Sequence, residues 1–113
     1  MHEASIMQEA LAQAEAHARQ HGCTAIHVIR LRVGALSGVV PEALEFAFEA
    51  LKAGTMAADA TLIIERVEAR ALCPACQREF TLEDAVFPCP ACGGWQSELL
   101  AGRELDLARI EAS

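Results

Sequence analysis

The sequence predicts an α+β protein: a three-stranded antiparallel sheet with two helices on one face, plus an inserted four-cysteine zinc ribbon. Three observations lead there. Two stretches repeat apolar residues at helical spacing, three runs are rich in β-branched residues, and the two kinds do not alternate as strict βαβ units do. Four of the 5 cysteines fall between the second and third strand-like runs. The expected division is a domain of residues 1–69 and 99–113, with the ribbon at 70–98.

Residues 4–21 read as the first helix. Met7, Leu11, Ala14 and Ala18 recur along one face, with Ile6 and Ala10 beside them. Ser5 and Gln8 match the S-x-x-Q capping box, and Gly22 suits the left-handed turn that ends a helix. Residues 24–33, TAIHVIRLRV, are β-branched and alternate imperfectly, as a strand does. GALSG then breaks the pattern. Pro41 suits the first turn of a second helix. Its apolar stripe is Leu44, Phe48 and Leu51, helped by Phe46 and Ala47, and Gly54 closes it. Residues 61–72, TLIIERVEARAL, read as one long strand, and LLAGRELDLARIEA returns to strand character after the cysteines.

Charge and composition exclude several function classes. The net charge of −7 argues against a nucleic-acid partner, whose phosphates require clustered Lys and Arg. No apolar run approaches the ~18 residues of a membrane span, and no basic segment leads into an apolar one, so no secretory signal is visible. An odd number of cysteines without such a signal is expected of a reducing cytoplasm. Cys23, which stands alone, reads as a small buried apolar residue.

The segment CPACQREFTLEDAVFPCPAC has the pattern C-x2-C-x12-C-x2-C. Two such knuckles bring Cys73, Cys76, Cys89 and Cys92 to one point, the tetrahedral thiolate set that zinc prefers. Iron fits the same donors. Pro74 and Pro90 stiffen the turns, and Gly93 and Gly94 let the chain leave without a Cβ clash. Four thiolates leave no open coordination position, so the site reads as structural rather than catalytic, and no enzyme activity is expected. Phe80, Phe87 and Trp95 are expected to pack around it. A redox CxxC normally occurs once, beside a βαβ pattern.

The chain opens MHE. A second-position histidine is ordinarily a solvated, frayed residue. Here it follows a methionine that a bulky neighbour protects from removal. The free amine, the His2 amide and the His2 Nδ1 can all reach one ion, and the Glu3 amide completes a plane of four nitrogens. Such a set suits Ni(II) or Cu(II). His17 and His21 share a face at i,i+4, but HxxxH without the inner Glu reads as a solvated helix surface. His27 reads as a half-exposed strand residue.

Together, MHE, VGALSGVVPEALEFAFEALKAGT, LIIERVEA and the doubled CPxC resemble the HypA/HybF family of nickel metallochaperones for hydrogenase maturation. The resemblance implies a nickel-binding α/β domain with an inserted zinc ribbon. It implies a nickel site at Met1, His2 and Glu3, and zinc ligands at Cys73, Cys76, Cys89 and Cys92. It further implies the GTPase HypB as partner, the large subunit of a [NiFe]-hydrogenase as recipient, and urease as a second recipient in some organisms. A monomer or homodimer fits equally well. Two departures stand out: Ala4 replaces a larger apolar residue, and the ribbon contains no histidine that could exchange with a thiolate at the metal. The alternative function is a zinc-ribbon module that binds protein or nucleic acid without moving nickel.

Overall fold

The computed structural model describes residues 2–84 and 86–113. Its elements are α1 (Glu3–Gln20), β1 (Ile26–Gly34), α2 (Pro41–Leu51), β2 (Thr61–Val67), β3 (Ala69–Cys73), β4 (Arg78–Leu82), β5 (Glu98–Ala101) and β6 (Leu105–Ala112). The strands form two three-stranded sheets, ordered β2-β1-β6 and β4-β3-β5. The chain divides into two compact units. The first comprises Met1–Arg32, Val39–Glu65 and Asp106–Ser113, and the second Val33–Gly38 and Arg66–Leu105. No helix among the described residues is long and apolar enough to cross a membrane.

In the first unit, α1 buries Met7, Ala10, Leu11, Ala14 and Ala18, a stripe at helical spacing. The expected Met7, Leu11, Ala14 and Ala18 are all in it. The small alanines let α1 and α2 pack closely against each other. α2 contributes Leu44, Ala47 and Phe48. Phe46, expected to help this stripe, is instead 78% exposed. Residues two apart on a helix point to nearly opposite sides, so Leu44 and Phe48 can face the core only if Phe46 does not.

The termini of α1 depart from expectation at one end and meet it at the other. The helix starts at Glu3 with His2 as N-cap and no side-chain cap, so Ser5 lies inside the first turn and makes no capping box. At the C-terminus, Gly22 N–H donates to Arg19 O at 3.0 Å and Cys23 N–H to Ala18 O at 2.9 Å. Gly22 is at φ 73. This is the Schellman arrangement that a left-handed glycine makes possible.

β1 buries Ile26, Ile29, Leu31 and Val33. Its outward arginines pair across the sheet: Arg30 with Glu65 at 3.9 Å and Arg32 with Asp106 at 2.6 Å. β6 is antiparallel to β1, as the reciprocal bonds of Ala25 and Ser113 require. β2 differs from the fully antiparallel expectation. Ile26 N–H donates to Met56 O and Ala35 N–H to Val67 O, both at 2.9 Å, so contacts keep the same chain order on both sides. α2 carries the chain back to the starting edge, and a strand after such a crossover pairs in parallel.

The long strand expected over 61–72 is two strands. Glu68 separates β2 from β3, and β3 pairs antiparallel with β4 and β5, with an irregularity between Arg70 and Ala71 on the β5 side. Ala69, Ala71 and Cys73 are the buried residues of β3.

Candidate metal centre

The two cysteine knuckles are built by one local rule. β3 ends at Cys73, and Gln77 N–H donates to Cys73 O at 2.7 Å; in the second knuckle Gly93 N–H donates to Cys89 O at 2.7 Å. Each turn closes on a left-handed residue, Gln77 at φ 55 and Gly93 at φ 71. Glycine adopts this conformation freely, whereas at glutamine it costs about 1–2 kcal/mol. The prolines occupy the first turn position, where their fixed φ is already correct. A Cβ at Gly94 would stand 3.3 Å from Cys92 Sγ and 2.6 Å from Gln96 Oε1. Glycine there keeps room for the sulfur.

The four sulfurs lie within 4.8 Å of one another. Cys73 and Cys92 are 3.8 Å apart, and Cys76 and Cys89 are 3.9 Å apart. Four thiolates at ~2.3 Å from a zinc ion define tetrahedral edges of about 3.8 Å. The cluster thus has both the donors and the dimensions of a tetrathiolate metal site. Cys73 and Cys89 are buried, Cys76 is half-buried and Cys92 is exposed. Gly94 N–H donates to Cys92 Sγ at 3.4 Å.

The knuckle also separates the acidities of its own thiols. The Cys76 backbone N–H aims at the Cys73 sulfur and, against the opposing effect of burial, brings its pKa from 9.0 to about 7. The Cys76 thiol is pushed up to about 12, first through its hydrogen bond with Cys92 and then by burial. A first thiolate forms readily, and the next must share a small volume with it. A bound cation removes that penalty, because it neutralises the charge that opposes further ionisation. The backbone donors of the knuckle are absent from a motif reading; the Pro after each first cysteine, which sets the turn, is their one trace in sequence.

Phe80 and Phe87 are half-buried, but Trp95 is 69% exposed and does not pack around the centre as expected. With a single turn carrying it, residues 91–97 have no strand to hold an indole inward.

At the other end of the chain, Met1 lies outside the described residues. His2 is exposed and extended, at φ −95 and ψ 114, and Glu3 is the half-buried first residue of α1. The first backbone bond of the helix runs from Ile6 N–H to His2 O at 3.2 Å. The opening N–H groups of a helix have no intrahelical acceptor, and the Glu3 amide is one of them. His17 and His21 are exposed on α1, as expected, and Cys23 is half-buried rather than buried. His27 is exposed, with Nε2 2.7 Å from Ser113 Oγ.

Comparisons with known proteins span nearly the whole chain. A family model described as "HypA: Hydrogenase/urease nickel incorporation, metallochaperone, hypA" matches residues 1–112. The hydrogenase maturation factor HypA of Picosynechococcus sp. is 46% identical over 111 residues, which is 98% of each chain. That of Streptomyces avermitilis is 43% identical over 112 residues, 97% of this chain and 86% of its own. The solution structure of the Ni metallochaperone HypA from Helicobacter pylori has the same fold, with a TM-score of 0.70 and 24% identity over 99% of this chain and 97% of that one. A second HypA solution structure gives 0.74 at 23% identity over 100% and 97%.

Proposed function

Because the chain belongs to the HypA family of hydrogenase/urease nickel-incorporation metallochaperones, we propose that it binds one Ni(II) at its N-terminus and delivers it for [NiFe]-hydrogenase maturation. The ligands are the Met1 amine, the His2 amide and imidazole, and a fourth donor at Glu3. The observation that carries this reading is the position of His2. Its exposed imidazole stands directly ahead of amides that the helix leaves without acceptors. Two ionised amides would offset the charge of the cargo, and the positive end of the α1 dipole favours them. An exposed terminal site can be dismantled one ligand at a time, which suits a carrier that must let go.

In the same reading Zn²⁺ is the resident ion of Cys73, Cys76, Cys89 and Cys92, and its contribution is to hold residues 70–98 folded. The remainder, 1–69 with 99–113, carries the nickel. The partners are the GTPase HypB and the hydrogenase large subunit, with urease maturation as a second destination, and the compartment is the cytoplasm. The chain performs no catalysis of its own.

Nickel titration of the full chain and of His2→Ala tests the reading. A loss of about one equivalent, or at least a tenfold weakening, is expected in the variant. Equal stoichiometry and affinity would remove it. A residue added before Met1 should have the same effect as His2→Ala, since it blocks the amine.

A further inference from the structure

One groove of the first unit is lined by metal-ligating side chains that neither the ribbon nor the N-terminus uses. It has a volume of 410 Å³ and is lined by His17, His21 and Cys23 from the end of α1 and by Arg109 and Ile110 of β6. We propose that this groove is a further metal site, weaker than the ribbon, that takes a zinc-like divalent ion on His17, His21 and Cys23.

The backbone sets the three donors along one groove. His17 lies in the last turn of α1, and His21, four residues on, is its C-cap. His21 Nδ1 lies 2.9 Å from His17 O. A carbonyl can only accept, so Nδ1 carries the proton and Nε2 presents its lone pair. Metal-ligating histidines commonly make this second hydrogen bond, because it fixes ring and tautomer. Gly22 then reverses the chain at φ 73, and the Cys23 N–H bond to Ala18 O at 2.9 Å folds Cys23 back onto the last turn. Its sulfur lies 3.9 Å from His21 O.

Two imidazoles and a thiolate are a donor set for zinc and ions of similar softness. Among the described residues, the ribbon cysteines are the one group of three or more donors already drawn together. Closing the groove site requires rotation of the exposed His17 toward the His21 ring, which keeps its Nδ1 bond to His17 O. Arg109 opposes a dication from the β6 wall, which the thiolate offsets in part. Both features put the affinity below that of the ribbon. Three protein donors leave a fourth position for water or for a donor from another molecule, as in a site that exchanges its ion.

The test is a cobalt titration of the zinc-loaded full chain carrying His2→Ala, so that the N-terminus does not compete. Cobalt is spectroscopically visible, and bonding to sulfur adds a near-ultraviolet charge-transfer band. We expect one further equivalent with that band. The band should vanish in Cys23→Ser, and binding should weaken at least tenfold in His17→Gln and in His21→Gln, both at exposed positions. Absence of a further equivalent overturns the proposal. So does a band that survives Cys23→Ser, which would report cobalt exchanged into the ribbon, or an affinity indifferent to both histidines.

Discussion

The Cys73 and Cys92 sulfurs stand 3.8 Å apart although 19 positions separate them in the chain. Four thiols crowded in this way repel as they ionise, and a cation among them turns that repulsion into attraction. Cys89→Ala removes a buried ligand and should lower bound metal from about one per chain to near zero. Elemental analysis after dialysis reads the stoichiometry. Chelation of the wild type should unfold β3, β4 and β5 and leave the α1 helical signal in far-ultraviolet circular dichroism largely intact.

Metal affinity should fall as pH falls, and the slope should change near neutrality. The metal-bound centre holds four thiolates, whereas in the free centre Cys76 keeps its proton up to about 12. That proton is displaced at any ordinary pH. Cys73 ionises at about 7, so its proton must be displaced as well only below that value. The slope of log affinity against pH should therefore steepen by about one per unit below pH 7. A competition titration with a zinc-binding dye across pH 5.5–8.5 (a span of roughly 3 units around the Cys73 value) measures it. An unchanged slope would contradict the assignment.

Gly34 and Gly102 meet backbone to backbone. Gly34 N–H donates to Glu104 O at 2.7 Å, and Leu36 N–H donates to Gly102 O at 2.7 Å. A methyl group on Gly34 would overlap the Gly102 carbonyl, and one on Gly102 would stand 2.8 Å from Ala69 Cα. Gly34→Ala should cost about 3 kcal/mol, the upper end of ordinary overpacking. Gly38 is also left-handed, at φ 79, but has open space around it. Gly38→Ala should cost only about 1 kcal/mol. Chemical denaturation of the two metal-loaded variants compares them.

Two phenylalanines on α2 should behave oppositely. Phe48 is 1% exposed and Phe46 is 78% exposed. Phe48→Ala should cost about 3–5 kcal/mol through the cavity it leaves. Phe46→Ala should change stability by no more than about 0.5 kcal/mol. Thermal unfolding distinguishes them, and a large loss from Phe46→Ala would show that its ring is covered in solution.

Much of this architecture is legible in the sequence, and each miss has its own physical reason. The stripe Met7, Leu11, Ala14, Ala18 and the terminating Gly22 are local signals, and the helix obeys them. The cysteine spacing names all four sulfurs that come together. The capping box failed because Ser5 satisfies a motif that begins two residues after the helix does. The break at Glu68 left no trace, since residues on both sides are equally suited to a strand. Trp95, expected to pack around the cysteine centre, is 69% exposed, since its size and apolarity do not say whether a wall exists to receive it.

What the amino-acid order determined by itself was the helical periodicity, the glycine turn that ends α1, and the four cysteines of the knuckles. Only the tertiary structure decided which strands pair and in which direction, that Phe46 lies outside, that Gly34 and Gly102 touch, and that His17, His21 and Cys23 line one groove. The physical reason is range. Helical repeats and turn geometry are governed by neighbouring dihedrals, whereas pairing, burial and shared clefts depend on contacts between residues far apart in the chain, which no local pattern encodes.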